Sequence, residues 1–174
     1  MVTSTATLKA REFLFLCEDQ AMAALGADCP RPERKVMWTI LQLHYGNPAV
    51  HFELQPQVSR STVELGLHFE AAPEVNDAWA AHIASRAAEL LPALGLEWEL
   101  EAWTASWRRL HRTYRFERLT RALADEVSAD LARALQLLGP ILQGSPLNAI
   151  SAPGPVTSAT RQHKPREWKR GARR

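Results

Sequence analysis

Apolar and polar residues alternate on both sides of a polar turn at 57–61. Val50, Phe52 and Leu54 alternate with His51, Glu53 and Gln55 before it, and Val63, Leu65, Leu67 and Phe69 alternate with Glu64, Gly66, His68 and Glu70 after it. Successive strand side chains point to opposite faces, so this pattern predicts a β-hairpin with one buried and one wet face. Leu96, Trp98 and Leu100 against Glu97, Glu99 and Glu101 predict another half-buried strand. Spacings of three and four mark the helices. Leu14, Cys17, Ala21 and Leu25 predict one over residues 5–26, closed by Gly26. Pro73 opens a second, to about Leu94, with Val75, Trp79, Ile83, Leu90 and Leu94 inward and Gly95 after it. Thr120 caps a third, with Leu123, Val127, Leu131, Leu135 and Leu138 inward, ended or weakened by Gly139-Pro140. Two stretches are ambiguous. Val36 to Tyr45 is rich in β-branched and aromatic residues and reads as one strand, apolar on both faces, although Pro32 and Gly46 would also frame a helix. Trp103, Trp107, Leu110 and Tyr114 fit a helical stripe, whereas Tyr114 and Phe116 fit a short strand.

The resulting order is α-β-β-β-α-β-(β or α)-α. It predicts an α+β two-layer sandwich with a mainly antiparallel sheet. Trp38, Trp79 and Trp98 fall on inward faces. From Gln143 onward no apolar period survives, so residues 1–142 read as a single domain and 143–174 as a disordered tail, Pro/Gly/Ser-rich and then basic. In element order alone, the chain resembles the type III secretion chaperone-like fold (α-β-β-β-α-β-β-α) and the core of restriction-endonuclease-like nucleases (α-β-β-β-α-β). The first resemblance implies protein binding, with a possible homodimer. The second implies Mg²⁺-dependent cleavage.

Charge changes the picture at one end. The net charge is +2, but residues 161–174 carry seven basic side chains against Glu167, a net of +6, leaving −4 on the first 160 residues. A cationic arm on a mildly acidic body points to a polyanion partner or to a solubilising end. Arg161, Lys164, Arg166, Lys169, Arg170, Arg173 and Arg174 are the expected phosphate contacts, with Trp168 stacking on bases. Arg108, Arg109, Arg112 and Arg115, interleaved with aromatics, extend that surface or form a solvated face. No apolar run approaches a membrane span, and the Phe13–Leu16 block, followed by Glu18 and Asp19, is too short for a signal-peptide core. Cys17 and Cys29 are expected reduced, and the location cytoplasmic.

The remaining chemistry lies in two twin triplets, His51-Phe52-Glu53 and His68-Phe69-Glu70. Each sets His and Glu on the face away from the core, and pairing brings His51 beside His68. His51, Glu53, His68 and Glu70 are therefore candidate ligands of a divalent ion. A wet face also calls for such residues, and neither a His-Glu-x-x-His helix nor a cysteine pair supports a site, so no metal or cofactor is assigned. The nuclease resemblance requires Asp/Glu-x-Lys, but the strands offer Glu53-Leu54-Gln55 and Glu64-Leu65-Gly66, and no lysine occurs between Lys35 and Lys164. Gly-rich phosphate loops and nucleophile elbows are absent, so no catalytic residue is assigned. The expected function is a non-enzymatic nucleic-acid-associated protein. A protein-binding adaptor is the alternative, and a degenerate nuclease or metal-dependent hydrolase on the His/Glu face a third.

Overall fold

Two rows of apolar side chains cross the sheet. Leu43, Phe52, Leu67, Leu110 and Leu100 form one, and Leu41, Leu54 and Leu65 the other. All but Leu100 are essentially closed to water. The computed structural model describes residues 6–150. In chain order they form α1 (Ala10–Ala24), β1 (Glu33–Met37), β2 (Ile40–His44), β3 (Val50–Gln57), β4 (Thr62–Phe69), α2 (Pro73–Ser85), α3 (Ala87–Leu94), β5 (Glu99–Ala102), β6 (Arg108–Arg115) and α4 (Arg121–Gly144). The sheet is antiparallel throughout, in the order β1-β2-β3-β4-β6-β5. The α+β class and antiparallel sheet agree with the sequence.

The helices supply the other half of one core. Phe13, Leu14 and Cys17 of α1, Trp79 of α2, Leu90 and Leu94 of α3 and Val127, Leu131, Leu135 and Leu138 of α4 join the sheet's apolar rows. Trp79 stacks on Phe69 at 5.9 Å between ring centroids. Thr120 caps α4 through its side chain, which accepts from the Leu123 N–H. Among the described residues, no helix is long and apolar enough to cross a membrane. Both cysteines are free, and burial pushes the Cys17 thiol up to about 12.

Several boundaries differ from the pattern reading. The single strand expected over 36–45 is the β1–β2 hairpin, with Met37 paired to Ile40 around Trp38 and Thr39. Trp38 adopts φ 53°. Tight hairpin turns need that left-handed region and usually take Gly or Asn there, so a tryptophan hid the turn. Instead of entering the core, Trp38 is 88% exposed. Leu96 is likewise exposed, because β5 begins only at Glu99. The helix expected from Pro73 to Leu94 breaks at Arg86, where its apolar stripe jumps from Ile83 to Leu90. Of the two readings of 103–116, β6 takes the strand. Residues 103–107 are its connection to β5, turned by Thr104, whose hydroxyl accepts from the Trp107 N–H at 2.9 Å.

At the C-terminal side, α4 runs through Gly139-Pro140 to Gly144. Leu138 and Leu142 keep the stripe buried there, which offsets the bond that Pro140 cannot make. A 3₁₀ turn at Pro146–Ala149 follows, where the Asn148 side-chain amide donates to the Tyr45 carbonyl at 2.7 Å. The segment from 143 to 150, read as tail, is therefore folded. The rest of the expected tail, residues 151–174, lies outside the described residues.

Gly66 lies opposite His111 of β6. A Cβ there would lie 2.7 Å from the His111 Cβ and 3.2 Å from the Leu110 carbonyl. Overpacking costs about 1–3 kcal/mol, and each kcal/mol moves Tm by about 2–4 °C in a chain of this size. Gly66→Ala is therefore expected to lower Tm by several degrees in a thermal melt. An unchanged Tm would show that the strands separate freely.

Candidate functional site

The face of the sheet opposite the helices carries polar rows in the same registers. His44, His51, His68, Arg109 and Glu101 follow one another across β2, β3, β4, β6 and β5, and Gln42, Glu53, Gly66, His111 and Glu99 form the next row. The expected pairing of His51 with His68 is present, and Glu53 faces Gly66, one of the two partners that the short turn left open to it. The burial is not what alternation predicts. His51 is 2% exposed and His68 0%, and Glu53 and Glu64 are also buried. The β5–β6 connection covers β4 at His68. Trp103 meets His68 edge-on at 4.9 Å, Trp107 packs on Trp103 at 5.7 Å, and the Arg109 guanidinium lies 5.0 Å over Trp103. Nothing in the spacing of Trp103 and Trp107 marked them as a cover.

With little water available, most of these groups satisfy one another, His44 Nδ1 and His111 excepted. Arg109 donates to Glu64 and Glu101, each at 2.6 Å. His68 contacts Glu64 through Nε2 at 3.1 Å and Glu70 through Nδ1 at 3.3 Å. His51 contacts the Pro48 carbonyl through Nδ1 at 2.8 Å. The Gln42 amide lies 3.0 Å from His51 Nε2 and 3.1 Å from Glu53 Oε2. His111 Nε2 is 3.0 Å from Glu101 but off the hydrogen-bonding direction, so neither of its nitrogens is satisfied.

Proton affinities follow from these contacts. Burial opposes charge on His68, but its hydrogen bonds to Glu64 and Glu70, aided by the charge of Glu53, push it up to about 9. Burial also opposes charge on Glu64, but His68 and Arg109 hold it down at about 2. For Glu53, burial is outweighed by His51, His68 and Gln42, and the carboxyl stays below its usual range. His111 is lowered, first by burial and then by Arg109. The contacts with Glu64 and Glu70 thus favour the charged form of His68.

The expected arginine surface divides. Arg108 pairs with Asp77 at 2.8 Å, and Arg109 is committed as above. Arg112 points to the helix side, where it pairs with Asp130 and, at 2.8 Å, with Glu126, and lies 4.4 Å over the Tyr114 ring. Only Arg115 of the four has no ion pair among the described residues. It lines a cavity of about 380 Å³ with Gln57, Arg60, Thr62, Glu64, Trp103, Arg109 and Thr113. Arg60, absent from the sequence reading, lies in a turn with no aromatic neighbour to mark it. Arg161, Lys164, Arg166, Trp168, Lys169, Arg170, Arg173 and Arg174 lie outside the described residues. One donor atom from each of His51, Glu53, His68 and Glu70 falls within 4.8 Å of the others, so the four metal candidates are brought together.

His68 is expected to set the alkaline stability of the fold. Its proton affinity is raised on folding, so its contribution is complete below the ordinary value of 6.5 and is lost as pH rises through about 9. The Tm of the wild type, measured in a chelator, should fall across that window, and that of His68→Gln should change less. Parallel curves would remove the charged histidine from the account. Comparison of the chain with protein-family models, with curated proteins and with solved structures returns no match, so the site stands on its own geometry.

Proposed function

We propose that the chain is a nucleic-acid-associated binding protein that grips phosphates without cleaving them. The observation that carries this reading is the groove beside Trp103. Arg60 and Arg115 line it without an acidic partner among the described residues, and Thr62 and Thr113 add hydroxyls. Guanidinium forks suit phosphate oxygens, hydroxyls suit phosphate and sugar, and an indole suits an unpaired base. The seven basic residues of positions 161–174 supply a second, longer-range attraction. The three paired arginines of β6 are left out of the contact set, because using them would strip Glu64, Asp77 or Asp130 of its partner.

The test is salt-dependent binding of a fluorescent oligonucleotide by the full chain. About six neutralised phosphates give a log–log slope near −5 on duplex DNA and near −4 on a single strand. Glutamine at all seven basic arm positions should flatten the slope, and Arg60→Ala with Arg115→Ala should reduce it by about one to two more. Affinity unchanged in both variants would defeat the reading.

A second reading, a protein-binding adaptor, rests on Trp38. A large indole held at a left-handed turn and 88% exposed has no role in this chain's own core. The element order, α-β-β-β-β-α-α-β-β-α, contains the chaperone-like order with one extra strand and a divided helix. On this reading the chain is dimeric in light scattering, and Trp38→Ser shifts it to monomer. A wild type that is monomeric at all concentrations counts against it.

A further inference from the structure

We propose that His51, Glu53, His68 and Glu70 form a binding site for one divalent transition-metal ion of the zinc type. The ligand set comes from two adjacent strands whose register places His51 opposite His68. His51 Nε2 lies 3.5 Å from Glu53 Oε2 and 4.0 Å from Glu70 Oε1, and His68 Nδ1 lies 3.3 Å from Glu70 Oε1. Bonds of about 2.0–2.2 Å to a tetrahedral ion imply ligand separations of about 3.4 Å, so these three pairs need little movement, and the remaining pairs, all within 4.8 Å, must draw in to match them.

The outer nitrogens support the same assignment. A ligating histidine gives its other N–H to an acceptor, which fixes the ring and its tautomer. His51 has the Pro48 carbonyl 2.8 Å from Nδ1, which turns Nε2 inward. His68 has Glu64 3.1 Å from Nε2, which turns Nδ1 inward, and Glu64 is itself held by Arg109 at 2.6 Å. Both rings therefore have an acceptor behind them and a carboxylate in front.

Charge supplies the third argument. Among the described residues, Glu53 and Glu70 have no lysine or arginine partner, since Arg109 serves Glu64 and Glu101. Two carboxylates and two neutral imidazoles balance a doubly charged ion, and nitrogen and oxygen donors without sulfur suit zinc, cobalt or manganese. Ligation requires His68 Nδ1 without a proton, and a proton held there passes to solvent on binding. Binding also displaces the Gln42 amide, which contacts both His51 and Glu53. Trp103, edge-on to His68, keeps bulk water from one side.

The experiment uses the full chain, stripped with a chelator and titrated with Zn²⁺ by calorimetry and with Co²⁺ by visible absorption. One ion per chain is expected, with a Co²⁺ spectrum of low-coordination type and a higher Tm in Zn²⁺. Glu53→Gln and Glu70→Gln keep the shape of the side chain and remove its charge. Each should weaken Zn²⁺ binding by more than about 10–100-fold, the loss typical of outer-shell partners alone. Glu99→Gln, on the same face outside the donor set, should bind as the wild type does. Glu70 is partly exposed, so its variant tests the site even if Glu53→Gln fails to fold. No saturable binding by the wild type, or equal binding by the wild type and Glu70→Gln, would overturn the proposal.

Discussion

The ion pair between Glu64 and Arg109 organises the sheet's second face. Both side chains are largely withdrawn from water, with 10% and 14% exposed, and their atoms meet at 2.6 Å. Withdrawing two charges costs several kcal/mol each, and the cost is recovered only when their remaining donors and acceptors are used. Here they are used. Glu64 also accepts from His68, Arg109 also reaches Glu101, and the guanidinium plane lies over Trp103. The β5–β6 connection, His68 and the strand pairing between β4 and β6 meet at this one pair.

β4 links that face to the core. Its odd-numbered residues Val63, Leu65, Leu67 and Phe69 enter the apolar layer, while Glu64, Gly66 and His68 build the polar one. A slip of one residue would exchange the two sets, so the hydrophobic burial that secures the register also secures the donor geometry. The absence of a side chain at Gly66 lets His111 pack across from it on β6.

Legibility from sequence followed the reach of each signal. The 50–70 hairpin, the His51–His68 pairing and the antiparallel α+β class were readable because strand alternation is local and the turn is short. The Trp38 turn was not, since its left-handed backbone is carried by a residue that rarely adopts it. The continuation of α4 past Pro140 was not either, because it depends on Leu142 finding the core and on Gly139 lying against Tyr45. Arg112 looked equivalent to Arg109 in the sequence, yet their one-residue parities send them to opposite layers, and only a settled strand boundary separates them.

The order of residues alone determined which side chains share a strand face, that two histidines and two glutamates recur with the same spacing, and that positive charge collects at one end. Tertiary structure decided that His51, Glu53, Glu64 and His68 are closed to water. No local pattern specifies that a loop carrying Trp103 and Trp107 folds back over β4, and burial of a polar face depends on what covers it rather than on the residues that compose it. Under that cover His68 and Arg109 share the carboxylate of Glu64.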